Sequence, residues 1–301
     1  MKNQTNFITH VFLALTLTAL SWNSLAQETR EHQDLTVIVR GSTAGPDIIF
    51  IPGLTSHWTT FEDVCAALED SYRCHLVQLP GFAGYEPMQS LEDGFLRPLR
   101  DQLVSYLDTL PGAVTLVGHS LGGTLAIDVA AVQPKLISRL VLVDALPFLP
   151  VVQNPAATSE LMQPMAAQMR SVIIAQSREE FDARVPMNIM GLTRSAGYNE
   201  VLLEWGLATD QVTLAHAMYD LQTLDLRPDL ERIEAPALIL GAWAAYESYG
   251  ATEATTRTTF EQSYRQLSDK TIKMSERGYH FLMWDDPVWL IDSLRHFMER
   301  N

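Results

Sequence analysis

Val117-Gly118-His119-Ser120-Leu121-Gly122-Gly123 is the stretch of sequence that decides the fold. The apolar run Ala113–Val117 leads into it and a run of small and apolar residues, Leu125–Val132, follows, so the pattern predicts a strand, a tight turn and a helix. Glycines stand two positions before and two positions after Ser120, as a strained strand-to-helix turn requires. Such a turn lifts the serine oxygen clear of the sheet, which makes Ser120 a candidate nucleophile.

Short β-branched runs alternate with helix-like stretches from about residue 35 onward. This alternation is typical of a mostly parallel sheet that is covered by helices on both faces. Several runs are apolar throughout, as strands buried on both faces are. The predicted strands are Leu35–Val39, Asp47–Ile51, Cys74–Gln78, Ala113–Val117, Leu140–Val143, Ala237–Leu240 and Thr271–Met274. We therefore expect an α/β fold with a mostly parallel, doubly wound sheet.

The strand pattern stops between residues 147 and 229. Apolar residues at helical spacing predict amphipathic helices there, and methionines are spread along the stretch. The predicted helices cover Arg170–Gln176, Phe181–Met190, Val201–Leu207 and Val212–Leu221. We expect an inserted helical cap at 147–229 on a core formed by residues 27–146 and 230–301.

The first 26 residues have the pattern of an export signal. Lys2 is followed by the apolar run Val11–Leu20 and then by Ser24-Leu25-Ala26, whose first and last residues are small, as a signal peptidase requires. The run is short for crossing a membrane, which disfavours a retained anchor. We expect residues 1–26 to be a signal peptide cleaved near Ala26, and the protein to be periplasmic or secreted.

Charge and composition exclude some classes of partner. The chain of 301 residues has 36 acidic and 21 basic side chains and a formal net charge of −15, which would repel the phosphates of nucleic acids. No internal apolar run reaches the roughly 18 residues that a membrane span needs. We expect neither a nucleic-acid partner nor a membrane span, and the oligomeric state stays open.

The two cysteines allow two interpretations. Cys65 is predicted to lie in a helix and Cys74 at the start of the next strand. An exported chain permits a disulfide between them, and two buried free thiols are equally compatible with the sequence. Both alternatives stay open at this stage.

Two backbone N–H groups are candidates to stabilise an oxyanion beside Ser120. The first N–H groups of a helix are unpaired and its dipole favours negative charge, so the Leu121 N–H is one donor. The turn Pro52-Gly53-Leu54-Thr55 follows a predicted strand, and Gly53 lets the backbone approach a substrate closely. Leu54 N–H is the predicted second donor.

A serine hydroxyl needs a base, and in sites of this type the chain order is serine, acid, histidine. His280 follows the last predicted strand and is the best-placed base. His216 and His296 lie in helical patterns and are predicted to be surface or packing residues. Three further residues are predicted to line the pocket: His57, His119 and Phe148.

These features together resemble the α/β-hydrolase superfamily, and most of all its capped esterase and lipase-like members. The resemblance covers the chain from about residue 35 to its end and rests on the strand and helix order, the Gly118–Gly122 motif, the turn Leu79-Pro80-Gly81-Phe82 and His280. A serine at position 120 distinguishes the chain from the epoxide hydrolases, dehalogenases and dienelactone hydrolases of that fold. Pro52 and Gln78 depart from the family pattern, which often has histidine and aspartate at these positions.

The acid of the triad is the main departure. The family usually has an aspartate three positions past a glycine after the seventh strand, but Gly241-Ala242-Trp243-Ala244 has an alanine there. Asp144, at the end of the preceding strand, resembles the arrangement in certain dehalogenases and is the favoured acid. Glu247, further along the seventh-strand loop, is the alternative acid.

The resemblance implies hydrolysis of carboxylic esters through an acyl-enzyme, with Ser120 as nucleophile, His280 as base and Asp144 as the orienting acid. No metal or organic cofactor is expected, because these groups suffice and no cluster has metal-ligand spacing. The methionines of the cap favour a small-molecule ester with an apolar acyl part. Two alternative functions stay open. A lactonase or aminopeptidase of the same fold would use the same triad. A non-catalytic binding protein on this fold would be expected to have lost the triad.

Overall fold

An eight-stranded sheet forms the centre of the protein. The computed structural model describes residues 27–299. The strands are β1 Glu28–His32, β2 Leu35–Gly41, β3 Asp47–Ile51, β4 Arg73–Gln78, β5 Val114–His119, β6 Ile137–Val143, β7 Ala237–Gly241 and β8 Lys270–Met274. Their order in the sheet is β1-β2-β4-β3-β5-β6-β7-β8. β2 runs antiparallel to both neighbours, and every other neighbouring pair is parallel. The predicted α/β fold is confirmed, and all seven predicted strands are present.

Helices cover both faces of the sheet. Consecutive residues of a central strand therefore pack into different hydrophobic clusters, one on each face. In β3, Ile49 and Ile51 belong to one cluster, whereas Ile48 and Phe50 belong to the other. All four side chains are buried. A strand that is buried on both faces has no polar side to show, which explains its uninterrupted apolar sequence.

The helices within the described residues are α1 Glu62–Ala66, α2 Leu96–Leu107, α3 Leu121–Val132, α4 Ser159–Ala175, α5 Arg178–Asp182, α6 Val185–Ile189, α7 Ala196–Leu207, α8 Gln211–Thr223, α9 Glu253–Ser263, α10 Leu282–Asp285 and α11 Pro287–Met298. Helices α4 to α8 lie between β6 and β7, in the stretch for which the sequence predicts a cap. The bounds 147–229 of that cap stay a prediction.

Two helices of this stretch differ from the predicted ones. The single helix predicted over Phe181–Met190 is wrong, because the chain breaks between α5 and α6, where Pro186 occupies the first turn of α6 and lacks an N–H. Helix α4 begins well before the predicted Arg170–Gln176, directly after Thr158, whose side chain caps its N-terminus. Pro164 lies inside α4, where proline is unfavourable, and this weakens the sequence signal for its first turns.

β1 is the strand that the sequence pattern does not predict. Its residues Glu28–His32 are polar and mostly exposed, and they pair with β2 alone at the edge of the sheet. A strand with one hydrogen-bonded neighbour and little burial carries no apolar signature. Its position depends on backbone pairing, which composition does not reveal.

The structure leaves the prediction of export untested. The predicted signal peptide, residues 1–26, lies outside the described residues. Cleavage near Ala26 therefore stays a prediction. Among the helices that the structure describes, none is long and apolar enough to cross a membrane.

The two cysteines are free, buried thiols, so the disulfide alternative is wrong for this structure. Cys65 lies in α1 and Cys74 in β4, as predicted, and both belong to the same hydrophobic cluster. Cys74 Sγ donates to the carbonyl oxygen of Cys65 at 3.8 Å. The neighbouring Cys65 side chain and burial both raise the pKa of the Cys74 thiol, which keeps it protonated.

Two glycines of the turn between β5 and α3 lie so close to backbone atoms that neither position has room for a side chain. A Cβ at Gly118 would lie 2.3 Å from the carbonyl oxygen of Gly122. A Cβ at Gly122 would lie 2.3 Å from the carbonyl oxygen of Ile51 and 2.4 Å from that of Pro52, at the end of β3. These two glycines therefore allow β3, β5 and α3 to meet at one point.

Replacing Gly122 with alanine should destabilise the protein because the new methyl group meets backbone atoms, which cannot move aside as a flexible side chain can. Overpacking of this kind costs about 1–3 kcal/mol. Urea denaturation of Gly122→Ala should therefore show a lower midpoint than the wild type. Gly112→Ala is the matched control, because a Cβ at Gly112 has no heavy atom within 4 Å. Equal loss of stability in the two variants would contradict this account of the turn.

Candidate active site

Ser120 lies in a strained backbone conformation between β5 and α3. Its φ of 54° and ψ of −121° are outside the regions that a serine normally occupies. Its N–H donates to the carbonyl oxygen of Val143 at 3.0 Å, and its own carbonyl accepts from Gly123 and Thr124. These hydrogen bonds hold Ser120 at the carboxyl end of the sheet with a fixed orientation.

Asp144 and His280 are brought together from sequence positions far apart. The Asp144 Oδ2 lies 2.7 Å from His280 Nδ1. Because a carboxylate only accepts hydrogen bonds, Nδ1 carries the hydrogen and Nε2 is left as the acceptor. The Ala242 N–H donates to the other oxygen, Asp144 Oδ1, at 2.9 Å, so the carboxylate is held at both ends.

Glu247 does not take part in this arrangement. It lies in a short helical turn, Ala244–Tyr249, with an exposed side chain. Within residues 27–299 its carboxylate makes neither an ion pair nor a hydrogen bond with His280. Of the two acids that the sequence leaves open, the structure brings Asp144 to the histidine.

Ser120 and His280 line the same cavity, which has a volume of about 560 Å³. Among the described residues Ser120 Oγ makes no direct hydrogen bond to His280, and contacts of this kind often form only when substrate binds. Most of the other lining residues are apolar. Within residues 27–299 no group of three or more His, Cys, Asp and Glu side chains is arranged to hold a metal ion.

The turn after β3 packs directly against the serine. A Cβ at Gly53 would lie 3.1 Å from Ser120 Cβ, so only a glycine allows this approach without displacement. Leu54 lines the cavity beside Ser120. The N–H groups of Leu54 and Leu121 donate to no acceptor in the described part of the chain, and Leu121 directly follows Ser120 at the start of α3.

Thr55 is a cavity residue that the sequence does not single out. Its φ of 57° is in the left-handed region, which a β-branched residue very rarely adopts. Thr55 lines the cavity, and within residues 27–299 its hydroxyl has no hydrogen-bond partner. Such strain clusters at ligand-binding sites, but a threonine in a turn carries no sequence signal for it.

His119 lines the cavity and is fully buried beside His280. Its Nε2 lies 3.0 Å from the carbonyl oxygen of His280 and donates to it. Its ring centroid lies 4.6 Å from that of His280 and 4.7 Å from that of Phe281. Burial holds the pKa of His119 well below the usual histidine value, and the nearness of the His280 imidazole adds to this effect. His119 is therefore neutral.

The structure places two of the residues predicted to line the pocket outside the lining of this cavity. His57 Nδ1 is 2.8 Å from Thr59 Oγ1, and its ring packs among aromatic side chains outside the cavity lining. Phe148 is completely buried in the core, with the Arg227 guanidinium 4.8 Å above its ring. Phe281, which the sequence analysis passed over, lines the cavity instead. Its place directly after the predicted base was the available signal.

Comparison with known proteins identifies the class. The model of the alpha/beta hydrolase family matches residues 48–293, so the chain belongs to that family. The resemblance that the sequence motifs suggest is thus confirmed over most of the chain.

Curated relatives give the kind of chemistry found among similar sequences. The chain is 28% identical over 207 residues to the pimeloyl-[acyl-carrier protein] methyl ester esterase of Nitrosomonas europaea, covering 65% of this chain and 76% of that protein. It is 26% identical over 276 residues to an esterase of Mycobacterium tuberculosis, covering 87% of this chain and 85% of that one. Its fold is similar to that of an enol-lactonase from Burkholderia xenovorans, with a TM-score of 0.71, 16% identity and coverage of 91% of this chain and 100% of that one. The chain is accordingly a hydrolase with esterases among its relatives.

The buried, neutral state of His119 predicts a pH dependence of stability. Because its pKa in the folded protein lies below the ordinary value of 6.5, the unfolded chain binds an extra proton as the pH falls through 6.5. Stability is therefore full above pH 6.5 and declines below it, by at most about 1.4 kcal/mol per pH unit for one such group. Denaturant unfolding between pH 7.5 and 5.5 should show a shallower decline in His119→Gln than in the wild type. The slopes are compared because the substitution also lowers stability at every pH, and identical slopes would contradict the prediction.

Proposed function

We propose that this hydrolase is an exported serine esterase, which cleaves carboxylic esters through an acyl-enzyme intermediate. The observation that carries the proposal is the 2.7 Å contact between Asp144 and His280 in a cavity that also contains Ser120. A histidine that is held by a carboxylate beside a strained serine is the arrangement of a nucleophile, a base and an orienting acid. Export rests on the sequence of residues 1–26 alone.

In the first half of the cycle, His280 Nε2 takes the proton of the Ser120 hydroxyl as its oxygen attacks the acyl carbon of the ester. The carbonyl oxygen becomes an oxyanion, for which the N–H groups of Leu54 and Leu121 are the donors. The imidazolium of His280 then gives its proton to the alkoxy oxygen, and the alcohol leaves. Asp144 stabilises the imidazolium throughout.

In the second half, water attacks the acyl-enzyme. His280 takes a proton from this water, a second oxyanion forms at the same two N–H groups, and the acid is released with Ser120 protonated again. Each half needs a neutral Nε2 facing the serine at its start. The hydrogen bond from Nδ1 to Asp144 supports that tautomer.

The cavity favours an ester with an apolar part. Its lining is dominated by aliphatic, methionine and phenylalanine side chains from α4, α5, α6 and α8. Methionine side chains adapt their shape easily, so they suit substrates of varied outline. A panel of esters, lactones and aminoacyl amides would separate an esterase from a lactonase or an aminopeptidase that uses the same groups.

Ser120→Ala should abolish hydrolysis of p-nitrophenyl esters, because no other group supplies the attacking oxygen. We expect the rate to fall by roughly 10⁴-fold or more, as removal of a triad nucleophile generally causes. Ser105→Ala is the control, since Ser105 contacts His32 on another part of the sheet. Undiminished activity of Ser120→Ala would rule out the serine mechanism.

Asp144→Asn and Glu247→Gln should separate the two candidate acids. Asparagine keeps the shape of Asp144 but can stabilise neither the imidazolium nor the required tautomer, so we expect kcat to fall by about 10³–10⁴-fold. Glu247→Gln should leave kcat close to that of the wild type because its side chain is exposed and away from His280. A large loss in Glu247→Gln alone would overturn the assignment of Asp144.

A further inference from the structure

The cavity contains one strong cation. Arg184 lines it, at the break between α5 and α6. Among the cavity-lining residues that the structure describes, there is no other arginine or lysine and no aspartate or glutamate. An apolar substrate alone would give this guanidinium nothing to bind.

Arg184 also lacks a direct partner in the protein. Within residues 27–299 its guanidinium makes no ion pair, no hydrogen bond and no stacking contact with an aromatic ring. Arginine has five donors in a planar fork, and those of the exposed Arg184 are left to solvent or to a ligand in the cavity. The planar guanidinium of an arginine can donate two parallel hydrogen bonds to the two oxygens of a carboxylate.

Two of the three acids of α5, Glu180 and Asp182, are already engaged, and the third, Glu179, makes no ion pair with Arg184 among the described residues. Glu180 Oε2 accepts from the N–H and the hydroxyl of Ser177, at 2.8 and 3.1 Å. These hydrogen bonds lower the pKa of Glu180, and the positive charge of Arg184 adds a smaller contribution. Asp182 is paired with Arg178 at 2.8 Å. Glu180 therefore influences Arg184 from a distance without pairing with it.

Two neutral polar side chains line the same cavity. Asn188 lies one helical turn after Arg184 on α6, and its N–H donates to the Arg184 carbonyl oxygen at 3.1 Å. Gln176 directly follows the end of α4. The side-chain amides of both residues have no hydrogen-bond partner in the described part of the chain. Arg184, Asn188 and Gln176 thus bring donors that reach solvent, and that no described protein group occupies, to a cavity that is otherwise largely apolar.

From this arrangement we propose that Arg184, Asn188 and Gln176 form a carboxylate-binding subsite, which selects esters whose acyl chain ends in a carboxylate. The preferred substrate class is then the half-ester of an aliphatic dicarboxylic acid. Its ester end lies at Ser120, its methylene chain lies on the apolar lining, and its free carboxylate pairs with Arg184. This inference rests on the proposed esterase function and specifies its substrate.

The test compares two matched series of substrates. Monomethyl esters of linear dicarboxylic acids with six to ten carbons carry the distal carboxylate, and methyl esters of monocarboxylic acids of the same lengths lack it. We expect the wild type to have the higher kcat/KM on the half-esters, with an optimum at one chain length. Equal kcat/KM on both series would overturn the subsite.

The variants assign the preference to the guanidinium. Charge-assisted hydrogen bonds contribute about 1.5–3 kcal/mol, so Arg184→Gln should lose roughly 10- to 100-fold in kcat/KM on the half-esters, mainly through KM. Its loss of kcat/KM on the uncharged esters should be clearly smaller than its loss on the half-esters, and Arg184→Lys should retain part of the preference, since a lysine keeps the charge but not the fork. Arg232→Gln is the matched control, because Arg232 is exposed, pairs with Asp229 and lies outside the cavity. Equal losses on both substrate series in Arg184→Gln would also overturn the proposal.

The two proposals fail in different ways. If uncharged esters are hydrolysed only with Ser120 intact while Arg184→Gln alters nothing, the subsite is wrong and the esterase proposal stands. If no ester of either series is hydrolysed, the esterase proposal fails. Binding then decides the subsite: free linear dicarboxylates should raise the thermal midpoint of Ser120→Ala, and should not raise that of Ser120→Ala combined with Arg184→Gln. The same shift in both proteins would dismiss the subsite.

Discussion

The close packing of the Ser120 turn against the neighbouring strand ends is the constraint on which the site depends. Gly122 lies against the carbonyl groups at the end of β3, and the Ser120 N–H donates to Val143 at the end of β6. The carboxyl ends of three parallel strands therefore meet around one serine, at the edge where α/β sheets generally bind their ligands. β3 leads into the turn of Gly53, and β6 leads into Asp144.

Asp144 follows β6 in the chain and is also held by hydrogen bonds to the β7 segment. The loop after β7, where related proteins usually have an aspartate, provides the backbone N–H of Ala242 that holds Asp144 Oδ1. Asp144 itself has a φ of 44°, which aspartate tolerates better than most residues, and its N–H donates to Leu240 in β7. The carboxylate thus lies at the end of β6 and is supported from β7. The imidazole of His280 thus has an acid partner without the usual seventh-strand residue.

Sequence reasoning predicts those parts of the molecule that repeat a strong local pattern. The apolar strands, the glycines around Ser120 and the position of His280 after the last strand all follow from such patterns. Features that arise from tertiary contacts are missed: edge pairing of the polar β1, the break before Pro186, and the strained backbone of Thr55. Phe148 illustrates the same limit of sequence reasoning. The sequence alone does not distinguish an aromatic residue that packs in the core after β6 from one that lines a pocket.

The buried His119 has a mechanical consequence for the site. It is adjacent to Ser120 in the chain, while its side chain is hydrogen-bonded to the backbone of His280. A single rigid imidazole therefore ties the segment that carries the serine to the segment that carries its partner. Because the ring is buried and also contacts the rings of His280 and Phe281, a displacement of one segment relative to the other would break several contacts at once. These contacts therefore restrain the distance between the two segments.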